Sequence, residues 1–233
     1  MKKIILFLIM SALSFSLFAG IKFTPIQLYL GDKNKQQRST TVIVESSDFS
    51  QSKIFELSAS TWTQNEKGED VLLEEKNILF NPKIFELKPN SKQIVRIGFI
   101  QSASGIATDK EKAWRIIFNE VTPITDPQAM NIQFKFSLPL FVGQQDKNNL
   151  KVDLKKMNNK FILDLENNSK SHVQLNEVEL IDANNKELVK KSLNKYLLSG
   201  SKYQLDLGVV NNGSNEKIKV RIKTDKDGDF LEY

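Results

Sequence analysis

The chain has 233 residues, 40% of them hydrophobic and 26% charged, with a net charge of +5. That length suffices for two domains of about 100 residues with real cores, and lysines scattered among nearly as many acids form no nucleic-acid stripe. The lack of cysteine excludes disulfides, thiolate metal sites and cysteine nucleophiles.

Residues 1–19 carry two lysines, an apolar run from Ile4 to Met10 and small or apolar residues up to Ala19. This matches a secretory signal peptide cleaved after Ala19. The apolar core is short for a membrane span, and Ser11, Ser14 and Ser16 dilute it. The mature chain is therefore expected to be exported and soluble, stabilised by core burial alone.

Beyond Gly20 the pattern is one of short alternating runs broken by polar turns. "RSTTVIVESS" alternates around Val42 and Val44, and "SKIFELSASTWTQ" around Ile54 and Leu57 to Trp62. "NEKGED" is a turn with Gly68 at its tip. "NILFNPKIFELKPNSKQIVRIGFI" reads as two strands around a turn at Pro89-Asn90, and "AWRIIFNEV" as the next strand. In "MNIQFKFSLPLFVGQQ", residues 130–145, Ile132, Phe134, Phe136, Leu138 and Leu140 fall on alternate positions. That is a strand with one apolar face, laid over a core or offered to another protein. The polar run "GQQDKNNL", residues 143–150, marks a boundary. The strand pattern restarts after it with "LKVDLKK", "KFILDLENN", "HVQLNEVELID", "YQLDLGV" and "KIKVRIKTD". Only "NKELVKKSLNKYLL" invites a helical reading. Strands at this spacing predict an all-β protein of two tandem sandwiches, over 20–143 and 144–233.

Residue supply argues against catalysis. His172 is the single histidine, so a triad or a multi-histidine metal site would rest on it alone. It reads as a surface or strand-edge residue whose replacement by alanine leaves the fold unchanged. Asp225, Asp227 and Asp229 read as an acidic turn, because Glu232 comes too early for a calcium loop. No glycine-rich phosphate loop is present. The expectation is a protein that is not an enzyme and has no metal, cofactor, small-molecule substrate or nucleic-acid partner.

Several segments together resemble the PapD-like periplasmic pilus chaperones. "FELKPNSKQIVRIGF", residues 85–99, resembles that family's Leu-x-Pro segment and the strand after it. "AWRIIFNEVTP", residues 113–123, resembles its next strand, and "FSLPLFV" the following one, closest to the archaic or alternative branch. "NNSKSHVQLNEVELID", "YLLSGSKYQLDL" and "KTDKDGDF" resemble pieces of its second domain. The resemblance implies two immunoglobulin-like sandwiches in an L-shaped or boomerang arrangement. It also implies a periplasmic chaperone that binds pilin or fimbrial subunits by donor-strand complementation and delivers them to an outer-membrane usher. Ile132, Phe134, Phe136 and Leu138 would then enter the subunit, and the empty strand would be open to self-association. The family's best-known branch grips the subunit's C-terminal carboxylate with an arginine and a lysine. Ile26 and Pro139 stand where those cations would be, so Lys22, Lys135, Arg96 and Arg115 are the candidate substitutes. The alternative is a structural or adhesive surface protein, or a glycan-binding module, for which an exposed aromatic face would speak.

Overall fold

The structure is a computed structural model describing residues 20–31, 37–47, 49, 51–107, 109–123, 132–157, 160–210 and 217–233. The expected signal segment, residues 1–19, lies outside them. The first half of the chain runs β1 (Gly20–Thr24), β2 (Leu28–Leu30), β3 (Ser39–Ser47), β4 (Lys53–Gln64) and β5 (Asp70–Glu75). It continues with β6 (Ile78–Asn81), β7 (Ile84–Leu87), β8 (Lys92–Phe99), a short helix α1 (Ala103–Ile106), β9 (Lys112–Glu120) and β10 (Lys135–Val142). One sheet has the order β1-β3-β8-β6 and the other β2-β10-β9-β4-β5, with β7 also on β4. The alternation seen in sequence turns one face of each sheet inward. Val42 and Val44 of β3 and Val95 and Ile97 of β8 meet Phe55 and Leu57 of β4 and Ile116 and Phe118 of β9 in one buried cluster. These eight side chains are fully buried, and each such burial is worth roughly 1.5–3 kcal/mol.

The second half runs β11 (Leu150–Met157), β12 (Lys160–Asn167), β13 (Val173–Ile181), β14 (Glu187–Leu197), β15 (Lys202–Val209), β16 (Lys219–Thr224) and β17 (Leu231–Glu232). Its sheets, β11-β12-β15 and β14-β13-β16-β17, close over Leu163, Leu175, Val178, Leu180 and Ile222. The segment "NKELVKKSLNKYLL" is strand β14, because the partly buried side of "ELVKKSL" lies along β13, where a helix would break the ladder. Both halves are sandwiches, antiparallel except where β2 meets β10, and the architecture is all-β.

Two local readings change. "NILFNPKIFELKPNSKQIVRIGFI" forms three strands, because Pro82 has no N–H to extend a ladder. The chain switches sheets there: β6 pairs β8, while β7 pairs β4. His172 is not at the surface. It is fully buried where the two sandwiches meet.

Candidate functional site

Strand β10 pairs antiparallel with β9 along its whole length, from Lys135↔Asn119 to Val142↔Lys112. On its other edge it pairs parallel with β2, and only over Leu140–Val142. The ladder's parity follows from two bonds. Glu120 N–H donates to Phe134 O at 2.8 Å on the β9 side, and Gly143 N–H donates to Leu30 O at 3.0 Å on the other. Even-numbered residues thus bond β9, and the odd ones turn their backbone groups to the opposite edge. Lys135 and Ser137 therefore present N–H and C=O to an edge that is unpaired among the described residues. Pro139, which has no N–H to offer, sits where that lack costs no ladder bond.

The alternating hydrophobes of this strand form a gradient. Ile132 is 68% exposed, Phe134 and Phe136 are half-buried, Leu138 is 7% exposed and Leu140 is fully buried. Phe136 packs on Phe23 of β1 with ring centroids 4.9 Å apart, on Phe55 at 6.3 Å and on Phe134 at 5.7 Å. The inner end of the row belongs to the domain's own core. The outer end lies at the seam between β1 and β10, where the sandwich ends in two sheet edges.

The four candidate cations do not come together. Lys22 is exposed on β1 beside Glu45, 3.8 Å away, and Arg96 on β8 donates to Ser39 Oγ at 2.8 Å. Both lie on the other sheet. Lys135 is at the end of β10 farthest from the second sandwich. Only Arg115, paired across the ladder with Pro139, lies at the junction of the domains. Its guanidinium sits 3.6 Å over the Trp62 ring and 5.7 Å from that of Tyr196 in β14, with Asp70 4.0 Å away. Burial pushes the guanidinium down from its ordinary value, and Asp70 opposes that shift. A cation stacked on an aromatic face and partly stripped of water binds a carboxylate more strongly than an exposed one.

Around Arg115 the domains are joined by bonds the sequence did not reveal. Gln64 donates to Tyr196 O at 2.8 Å and accepts from Leu198 N–H at 2.9 Å. Lys195 Nζ donates to Gly68 O at 2.7 Å, and Gln27 donates to Gln174 Oε1 at 3.0 Å. Trp62, Ala113, Phe141 and Leu198 form a buried apolar cluster bridging the two halves. The His172 ring lies parallel on Phe141, with centroids 3.5 Å apart, and its Nδ1 is 2.7 Å from Glu111 Oε1. The same oxygen accepts the His172 backbone N–H at 2.9 Å, and Gln145 of the connecting segment donates to Glu111 Oε2. The expectation of a solvated histidine fails because stacking and this paired carboxylate compensate its burial. One signal was available: "LPLFV" is apolar at every position, which marks a strand covered on both faces.

Trp62 and Trp114 are buried, so neither contributes to an exposed aromatic face. No group of three or more His, Cys, Asp or Glu residues suited to a metal ion exists among the described residues, and no helix there is long and apolar enough to cross a membrane. Asp225 and Asp227 of the acidic turn accept from Gln174 N–H at 2.7 Å and Asn148 Nδ2 at 2.7 Å.

Residues 34–143 match the family model described as pili and flagellar-assembly chaperone, PapD N-terminal domain. The solved structure of a CsuC–CsuE chaperone–tip subunit pre-assembly complex, from archaic chaperone-usher Csu pili of Acinetobacter baumannii, is similar with a TM-score of 0.63 and 16% identity. The match covers 92% of this chain and 97% of that one. The Salmonella enterica SafA pilin–SafB chaperone complex matches at TM-score 0.59 and 17% identity, over 93% and 96% of the two chains. The class 5 fimbriae chaperone CfaA matches at 0.57 and 18%, over 92% and 98%. No curated protein matches the sequence significantly. Pilus chaperones are binding proteins and not enzymes, in keeping with a site made of an open strand edge. Residues 34–143 thus match the N-terminal domain model of the PapD-like pilus chaperones, and the chain as a whole has the fold of two tandem immunoglobulin-like sandwiches found in those solved structures.

Proposed function

We propose that the protein is exported to the periplasm, loses residues 1–19, and holds pilin subunits there by adding β10 to an incomplete subunit sandwich before delivery to an outer-membrane usher. The observation that carries this reading is the open edge of β10 at Lys135 and Ser137, beside a row whose outer members Ile132, Phe134 and Phe136 are not fully buried. Backbone pairing at that edge gives affinity with little dependence on sequence, and side chains two residues apart fill successive pockets. Solved relatives of the same fold include complexes of a chaperone with a pilin and with a tip subunit. An unpaired edge is also a template for self-pairing, so the empty protein self-associates through β10.

Arg115 takes the role of carboxylate anchor in this reading. It is the candidate cation lying at the junction of the domains, next to Pro139. Co-purification from the periplasm tests the function: a stoichiometric partner with an incomplete sandwich is expected, and a glycan or no partner would favour the adhesive reading. With that partner in hand, Arg115→Ala should weaken the complex about 10- to 100-fold, the worth of one charge-assisted hydrogen bond. The free protein should lose only the roughly 0.5–2 kcal/mol of stacking on Trp62, so affinity is compared well below both melting temperatures. Unaltered affinity would remove Arg115 from the site.

A further inference from the structure

A buried ion pair stands at the leading end of β10, far from the domain junction. Lys53 Nζ lies 2.9 Å from Glu120 Oε1, and both side chains are largely buried. The second oxygen, Glu120 Oε2, accepts the backbone N–H of Phe134 at 3.0 Å, while Glu120 N–H donates to Phe134 O at 2.8 Å. In a regular ladder both bonds of this residue pair would be main-chain. Here one is made by a side chain, and regular strand begins only at the next residue, Lys135.

The surroundings converge on the same residue. Lys53 Nζ lies 5.0 Å from the centroid of the Phe134 ring and 5.2 Å from that of Phe49, and Phe49 itself meets Phe134 edge-on at 6.4 Å. Thr122 Oγ1 accepts from Ile54 N–H at 2.9 Å, and Gln133 donates to Thr122 O at 3.1 Å. Burial pushes the Glu120 carboxyl up, but Lys53, the Phe134 N–H and Thr122 outweigh it and hold it below the usual carboxylate range. Removing two charges from water gains little stability over an apolar pair of equal volume, so this pair calls for another account.

We infer that Glu120, neutralised by Lys53, is a positioning residue that fixes Phe134 and thereby the place where the donor strand begins. This rests on the donor-strand reading. Phe134 is the outermost side chain of the row that the domain still holds, and Ile132 beyond it is exposed. With the carboxylate in place, the strand's leading end is ordered before a subunit arrives, which lowers the entropy cost of association. Without it, residues 132–134 peel away from β9 and the leading pockets lose their register.

The test uses amide hydrogen exchange in the full free chain, read as the rate at Phe134 divided by the rate at Leu140. A general loss of stability cancels in that ratio. Glu120→Ala should raise it about tenfold or more, as expected for one lost hydrogen bond to a charged acceptor. Glu120→Gln, which keeps an acceptor oxygen, should leave it within about threefold. An unchanged ratio in Glu120→Ala overturns the inference. Capture of the co-purified subunit is then measured on the same variants, and Glu120→Ala should slow association more than Glu120→Gln. A raised ratio with normal capture, in a protein whose Phe134→Ala variant fails to capture, also overturns it. Normal capture by Phe134→Ala would instead bring down the donor-strand reading beneath it, whatever the ratio.

Discussion

A Lys135→Pro, Ser137→Pro variant should stay folded and lose its subunit. Both residues turn their N–H groups away from β9, so proline at either position removes no bond of the domain's own ladder. Pro139 already occupies the next such position. An incoming strand would lose two backbone donors, each worth about 1 kcal/mol net, and would meet two pyrrolidine rings at the pairing edge. The two bonds alone correspond to about 30-fold in affinity, and the rings add to it. Co-purification of variant and parent, with melting curves of the free proteins, separates the effects. A variant that captures normally would show that subunits do not pair at this edge. Controls at Phe136 and Leu138 behave differently, because their N–H groups face β9 and proline there breaks the domain itself.

The second large effect is expected far from the donor edge. His172→Ala should lower stability by about 3 kcal/mol. It opens a cavity against Phe141 and leaves Glu111 Oε1 with the backbone N–H of residue 172 as its remaining partner there. At roughly 2–4 °C per kcal/mol for a chain of this size, the melting temperature falls by about 6–12 °C. The loss is concentrated at the junction, so small-angle scattering should show a broader spread of domain orientations. A melting temperature equal to the parent's, with unchanged scattering, would mean the His172–Glu111 contact does not hold the domains. Glu111→Gln, which keeps the shape of the side chain and one acceptor oxygen for His172, should cost less than His172→Ala.

Much of the fold could be read because it rests on a two-residue period. Val42 and Val44, Leu57 and Ala59, and Ile116 and Phe118 each announce one inward face. The sandwich follows from those runs, while the likeness to the pilus chaperones rests on segments such as "FELKPNSKQIVRIGF" and "FSLPLFV" and their order. The strands that escaped notice are those whose side chains do not alternate. β5 is exposed along nearly its whole length and β2 has three residues, so neither shows a clear hydrophobic signal. The row on β10 was legible, but its gradient of burial was not, because that depends on where β1 and β2 stop covering it. The junction was least legible. Glu111 and His172 lie 61 positions apart, Gln64 and Leu198 134 apart, and side chains paired over such distances leave no local pattern. A lone histidine among polar residues looks solvated until the chain brings Phe141 and Glu111 to it.

The central claim is that a subunit adds a strand to the open edge of β10, and residue-resolved hydrogen exchange on the free protein and on its purified subunit complex tests it most directly. In the free protein, kept monomeric by dilution, the amides of Phe136 and Leu138 should be protected, and those of Lys135 and Ser137 should exchange fast. In the complex, Lys135 and Ser137 should gain protection of about a hundredfold or more, while Phe136 and Leu138 remain protected. Protection that appears elsewhere on the protein, with Lys135 and Ser137 exchanging as fast as before, would contradict strand addition at this edge.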